Sequence, residues 1–462
     1  MESAFLVAAE LPAGRGAGRA ARAPWGAAES LEELVQLART AGIGVAGRLR
    51  QRLAKANPFT YVGKGKLAEL SLEARAAGAG TLIFDDELTP AQARNIEREL
   101  GDGLKVLDRT GLILDIFAQH ARTREGQIQV ELAQYSYLLP RLTGLWTHLI
   151  RQGGGRAAGG YGVGLRGPGE TQLETDRRRI RARMDGLRRQ LEEVRRSRAV
   201  HYRHRQRREL FTAVLVGYTN AGKSSLLNAL CRSQGVASED GGPPLAYAAD
   251  QLFATLDPTT RRLALPSGSR MLLTDTVGFI RKLPTQLVAA FRATLEGVQE
   301  ADLLVHVADA SHPQVLAQVE TVRQVLAELG VADNPSLLVW NKSDALPALA
   351  EPNGAAGAEP NGAAGAALAE PNGVAGAAEG LAVSALTGEG LPRLLEAVEQ
   401  AVRQRLVPVR VELPYEQSAL ASRVFEQGSV DWFEHGEWGT RLAAMVPAAL
   451  AAALSPYSTS KR

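Results

Sequence analysis

Along the first 120 positions, short apolar runs alternate with stretches whose apolar residues recur every three or four positions. The run Ala4 to Leu11 predicts a strand, and Thr81 to Phe84 and Leu104 to Leu107 predict two short buried ones. Ser30-Leu31-Glu32-Glu33 has capping-box spacing and predicts a helix beginning there and running through Thr40. Thr89-Pro90 predicts another, with proline in its first turn, ending near Leu100. This alternation implies a small α/β domain with a parallel sheet over residues 1–122. The basic glycine loop Tyr61-Val62-Gly63-Lys64-Gly65-Lys66 reads as a surface turn rather than a phosphate contact.

From Ile128 the period changes. Ile128, Leu132, Tyr135, Leu139, Leu142, Trp146 and Leu149 are spaced four and three alternately, as are Ile180, Met184, Leu187, Leu191 and Val194. Residues 151–170 between them hold nine glycines, so residues 123–209 predict an antiparallel helical hairpin with a glycine-rich tip. Arms of about 24 residues would each span roughly 36 Å. Pro140 is expected to kink the first.

Residues 210–407 return to strand and helix, with apolar runs Phe211–Val216, Met271–Leu273, Leu337–Trp340 and Leu381–Val383, and a closing helix Leu391–Arg405. Three copies of Glu-Pro-Asn-Gly, at Glu351, Glu359 and Glu370, mark an Ala/Gly-rich insertion over about 347–379 that cannot build a core. Residues 408–462 open with the strand Val409–Leu413, and Asp431-Trp432-Phe433 with Trp438 are expected to supply a small core rather than an aromatic recognition patch.

Composition adds little until charge is located. Of 462 residues 45% are apolar and 22% charged, as in a globular protein of about three domains. No apolar run reaches the length of a membrane span, and the start Met-Glu-Ser-Ala-Phe-Leu-Val lacks a targeting pattern, which implies a cytosolic protein. Cys231, the single cysteine, excludes an internal disulfide and reads as a small buried residue. Net charge is only +3, yet Arg177 to Arg208 contains fourteen arginines against three acids. A track for RNA phosphates fits that imbalance better than a solvated helix face, which interleaves both signs.

The chemistry lies at the ends of the third domain's strands. Gly217-Tyr218-Thr219-Asn220-Ala221-Gly222-Lys223-Ser224 follows a strand and opens a helix, the context a phosphate-binding loop requires. Its backbone N–H groups and the helix N-terminus would hold the phosphates, Lys223 would reach between them, and Ser224 would ligate magnesium. Asp275-Thr276-Val277-Gly278 follows the next strand, with Asp275 on the magnesium shell and the Gly278 N–H on the γ-phosphate. Asn341-Lys342-Ser343-Asp344 places a carboxylate, Asp344, where it can accept from the ring N–H and the exocyclic amine of guanine. Ser384-Ala385-Leu386 is suited to backbone contacts with the guanine carbonyl. Phe253-Ala254-Thr255-Leu256-Asp257 stands where a first switch loop supplies a threonine to magnesium and γ-phosphate, Thr255 being favoured over Thr259. GTP or GDP with magnesium is the expected ligand, and Lys223, Thr255, Asp275 and Gly278 are the expected catalytic set. Phe279 stands where many GTPases carry a water-orienting glutamine.

These motifs, with Gly167-Pro168-Gly169-Glu170-Thr171-Gln172-Leu173-Glu174-Thr175-Asp176-Arg177-Arg178 and Asp85-Asp86-Glu87-Leu88-Thr89-Pro90, closely resemble those of HflX-type GTPases. The resemblance implies a P-loop GTPase domain flanked by the N-terminal α/β domain, the hairpin and a small C-terminal domain. It implies magnesium on Ser224 and Thr255. It also implies a monomeric protein that binds the rRNA of the large ribosomal subunit through the basic hairpin and acts in ribosome splitting, rescue or biogenesis. From the residues alone, a GTP-gated RNA-remodelling factor or a regulator of a protein partner stays open. The Glu-Pro-Asn-Gly insertion departs from the family pattern.

Overall fold

The computed structural model describes residues 2–10, 26–101, 103–142, 168–206, 211–235, 252–253, 256–282, 297–346 and 380–459. The chain divides into two units: residues 1–198 with 251–257 and 281–293, and the remainder. Most of the expected glycine tip, the first hairpin arm beyond 142, and the insertion at 347–379 lie outside the described residues.

The first unit carries a four-stranded parallel sheet of β1 (Ser3–Glu10), β2 (Gly44–Arg52), β3 (Thr81–Phe84) and β4 (Lys105–Asp108), in the order β2-β1-β3-β4. Its helices are α1 (Ala27–Thr40), α2 (Lys64–Ala76), α3 (Pro90–Leu100) and α4 (Arg109–His120). The helix expected behind Thr89 forms, and its cap is a capping box, the Gln92 N–H reaching the Thr89 hydroxyl and the Thr89 N–H reaching the Gln92 side chain. The capping box expected at Ser30 does not form. α1 starts three residues earlier behind Gly26, and Ser30 donates instead to Asp85 (2.7 Å) while Glu33 pairs with Arg109. Arg109, fully buried, also holds Asp85 at 2.7 Å, and this charge network competes successfully for the would-be capping groups. The glycine loop at 61–66 is the start of α2, with Gly63 as its N-cap.

Two further helices, α5 (Arg124–Leu138) and α6 (Pro168–Gln206), pack through Ile128, Leu187 and Leu191 with Leu132 and Tyr135 beside them, five of the residues expected along the seam. Arg183 adds a two-pronged ion pair to Glu131 at 2.8 and 3.0 Å. α5 stops at Leu138, with Leu139 still in the helical region, and the part of the first arm that the expected kink at Pro140 would redirect lies outside the described residues.

In the second unit, β5 (Phe211–Gly217), β6 (Thr259–Ala264), β7 (Arg270–Asp275), β8 (Leu303–Asp309), β9 (Ser336–Asn341) and β10 (Leu381–Ala382) form one sheet. Its order is β10-β9-β8-β5-β7-β6, parallel except for the edge strand β6. α7 (Lys223–Ser233) and α9 (Leu391–Arg403) share a core with the sheet built on Leu215, Leu226, Leu273, Val305, Val339 and Val398. α8 (Val315–Glu328) packs on the Ala308, Leu338 and Trp340 cluster. Burial of each large side chain contributes about 1.5–3 kcal/mol, which fixes the strand ends from which the loops project. Cys231 is buried, as expected.

The same unit contains a three-stranded antiparallel sheet of β11 (Val407–Pro414), β12 (Ser429–His435) and β13 (Gly439–Val446), in the order β11-β13-β12. α10 (Ser418–Gln427) and α11 (Ala448–Leu454) close its core with Val424, Leu450 and Leu454 over Val411, Leu413, Leu442 and Val446. The expectation that Trp432, Phe433 and Trp438 form this core is overturned, since all three are exposed, Trp438 by 82%. Aliphatic residues of the central strand and helices fill the interior and leave the edge strand's rings outside. Among the described residues no helix is long and apolar enough to cross a membrane.

Candidate nucleotide site

The phosphate loop turns where only glycine fits. At Gly217 (φ +155°) a Cβ would lie 2.1 Å from the Val307 carbonyl oxygen, and at Gly222 (φ +87°) it would lie 2.2 Å from Asn341 Nδ2. Gly222 is the N-cap of α7 in the left-handed region, so the helix's free N–H groups open onto the loop. Lys223 is buried, and its Nζ donates to the carbonyls of Gly217 (3.2 Å) and Tyr218 (2.8 Å). Burial pulls its pKa from 10.5 down to about 8, against the opposing attraction of Asp275. An anion at this loop would restore the charge that burial disfavours. The Thr219 hydroxyl, also buried here, has no hydrogen-bond partner among the described residues.

Asp275 ends β7 fully buried, and the Ser224 hydroxyl donates to its Oδ2 at 2.6 Å. These two oxygens form a hard donor pair of the kind magnesium takes alongside phosphates. Thr276 donates to the Leu215 carbonyl (2.7 Å), tying the segment to β5. A Cβ at Gly278 would stand 2.7 Å from Thr219 Cα, so this approach too requires glycine. The Phe279 N–H donates to the Gly217 carbonyl (3.0 Å) and the Thr219 N–H to the Phe279 carbonyl (2.8 Å), joining the two loops by a parallel bridge. The Phe279 ring is buried, so it orients no water.

The two segments expected to read the base are joined to the phosphate loop by one side chain. Asn341 Nδ2 donates to the Ala221 carbonyl at 2.9 Å, and Asn341 Oδ1 accepts from the Ala385 N–H at 3.1 Å. Ser384, fully buried, donates to Asp344 Oδ1 at 2.5 Å and accepts from the N–H groups of Leu386 and Thr387. It is thereby a positioning residue for the exposed Asp344 carboxylate. Lys342, left-handed at φ +62°, is pinned by Asp309 at 2.6 Å, and the Ser343 N–H meets the Val383 carbonyl. Leu386 is exposed. Sequence reasoning missed Asp309; its position at the end of β8, followed by Ala310 and a serine that donates to it, was the available signal.

Ala254 and Thr255 lie outside the described residues. Phe253, Leu256 and Asp257 belong to the first unit, where the Phe253 ring packs at a tilt against Phe117 (ring centroids 4.5 Å apart). The Asp257 carboxylate accepts from the N–H groups of Arg122 (2.9 Å) and Thr123 (2.8 Å) and from the Thr123 hydroxyl, at the start of α5. Thr259 opens β6.

Four family models match in sequence order: the N-terminal region (residues 28–118) and the middle region (120–206) of GTP-binding GTPases, the 50S ribosome-binding GTPase (212–342), and the HflX C-terminal domain (372–454). The GTPase HflX of Caldanaerobacter subterraneus is 43% identical, covering 90% of this chain and 87% of its own. That of Escherichia coli is 42% identical over 88% and 87%. A solved GTP-binding protein from Sulfolobus solfataricus in complex with GDP is 24% identical, covers 87% of this chain and 99% of its own, and overlays with a TM-score of 0.39. With relatives of this identity over nearly nine-tenths of both chains, and the HflX C-terminal model matched at its end, the chain belongs to the HflX family of GTPases.

Proposed function

We propose that the chain is a cytosolic, monomeric switch that docks on the large ribosomal subunit when GTP is bound and leaves after hydrolysis, acting in ribosome splitting, rescue or biogenesis. The observation that carries the docking half is α6, along which Arg178, Arg179, Arg181, Arg183, Arg188, Arg189 and Arg196 are exposed. Five of them have an acidic neighbour within 4 Å, yet exposed pairs of this kind are weak and exchange readily for phosphate. The matching model is that of a 50S ribosome-binding GTPase, which favours rRNA as the partner over other RNA.

In this reading residues 217–224 hold the phosphates, Asp344 and residues 384–386 read guanine, and Ser224, Asp275 and Thr255 provide oxygen for magnesium. The ion, when bound, neutralises charge developing on the β- and γ-phosphates. Lys223 leaves the Gly217 and Tyr218 carbonyls to meet the phosphates. The Gly278 N–H reports the γ-phosphate. With the Phe279 ring buried, a polar group that orients the attacking water comes from the partner, so the free protein hydrolyses slowly. Single-turnover hydrolysis with and without purified large subunits tests this. The subunits are expected to accelerate the step at least tenfold, and a fast rate they leave unchanged would remove the proposal.

A further inference from the structure

The C-terminal sheet has two edges, and they are treated differently. The outer edge of β11 is covered, Val411 bridging to Ser458 and the Thr459 N–H reaching the Arg410 carbonyl at 3.0 Å. The outer edge of β12 pairs with no described strand, and residues 431–435 are exposed. Native proteins blunt such edges with charge, and β12 also has a bulge between Val430 and Trp432. Blunting does not call for large exposed rings, however. Phe433, opposite the core residue Leu442, continues into an edge-to-face row with Phe425 (5.3 Å) and His435 (5.6 Å). Trp432, opposite Ala443, takes the other face, and Trp438 stands at the turn. Both faces of one open edge are thus lined with aromatic surface, which marks an interaction site.

The surrounding charge decides the occupant. Glu416, Glu426, Asp431, Glu434 and Glu437 are exposed and have no cationic partner among the described residues. The bases nearby in sequence are Arg423 and Arg441, and Arg441 is paired with Glu412 (3.1 Å). Five unpaired carboxylates repel nucleic acid, so the rings are not a base-stacking platform. We infer that the β12 edge takes an extended, basic segment of a partner protein by strand addition, its backbone pairing with residues 431–435. The segment's apolar side chains meet Trp432 and Phe433, and its lysines or arginines meet Asp431 and Glu434. This surface is separate from the nucleotide site and does not depend on the function proposed above.

A random 12-residue peptide library displayed on phage, selected against the full chain and counter-selected against an Asp431→Lys/Glu434→Lys double variant, tests it. Both positions are exposed, so the variant is expected to keep its fold and its GDP affinity. The enriched peptides should alternate Lys or Arg with apolar residues, bind the parent at least tenfold more tightly than the variant, and raise the exchange protection of amides 431–435. Trp438→Ala should weaken them severalfold. Three results would overturn the inference: no enrichment over the variant, protection elsewhere in the chain, or tighter binding of a 12-nucleotide single-stranded RNA at the same edge. Concentration-dependent dimers that bury residues 431–435 would also overturn it, by making a second copy of this chain the occupant.

Discussion

With Lys223 on the phosphates, as proposed, nucleotide binding is expected to weaken in alkali. Its amine is fully buried and its pKa is pulled from 10.5 to about 8, a difference worth about 3 kcal/mol. A bound phosphate returns the charged form to favour, so above pH 8 the empty protein must take up a proton as it binds. Below pH 8 the amine is charged with or without nucleotide, and no linkage is expected. Between about pH 8 and 10.5 affinity for GDP should fall about tenfold per pH unit, towards a total of roughly 300-fold. At pH 9, calorimetry in two buffers of different ionisation enthalpy should show uptake of about 0.9 proton per GDP bound. Guanine loses its own ring proton in alkali, so Lys223→Arg, which stays charged, supplies the baseline. Equal pH dependence in parent and Lys223→Arg, with no proton uptake by the parent, would refute the assignment of Lys223 to the phosphates.

Three other consequences follow from particular contacts. His306 is buried in β8 and held neutral, its pKa lowered to about 4 by burial and then by the charges of Arg323 and Lys223. The unfolded chain protonates below pH 6.5 while the native one does not. Stability should therefore fall by ~2 kcal/mol between pH 7 and 5, and His306→Leu should lose that part of the acid limb in denaturant titrations. Asn341→Ala leaves the Ala221 carbonyl and the Ala385 N–H without their partner, at about 1–3 kcal/mol for each group left buried. Nucleotide titration should show GDP and a GTP analogue weakened equally, by about 10- to 100-fold, and an unequal loss would place Asn341 on the phosphates instead. Lys282, left-handed at φ +54°, pairs with Asp85 and Asp86 at 2.6 Å each. Lys282→Met should cost ~1–2 kcal/mol, discounted for partial exposure, and raise the exchange rate of the amides of 281 and 282 without changing those of β5.

The parts of this site legible in the sequence are those in which backbone geometry repeats over a few neighbouring residues. Gly217, Gly222 and Gly278 occupy positions where a Cβ would collide, and Thr89-Pro90 with Gln92 closes its own cap. The parts not legible depend on partners far along the chain. Ser30 and Glu33 have the spacing of a cap, but Asp85 and Arg109, more than fifty residues later, recruit them. Asp309 serves the site through Lys342, and Ser384 through Asp344. The edge position of β2, with arginine at every second place from Arg48 to Arg52, hid a strand behind a polar pattern. The rings of β12 misled in the opposite sense, because hydrophobicity predicts burial only when a second layer exists to cover it.

In the function proposed, the third phosphate readies the arginine-bearing helix for the large ribosomal subunit. Co-sedimentation of the full chain with purified large subunits, in a non-hydrolysable GTP analogue, in GDP and without nucleotide, addresses it most directly. Strong pelleting is expected with the analogue, at least tenfold less with GDP or no nucleotide, and none above background for Lys223→Ala under any condition. Equal pelleting in all three states, or by Lys223→Ala as by its parent, would contradict it.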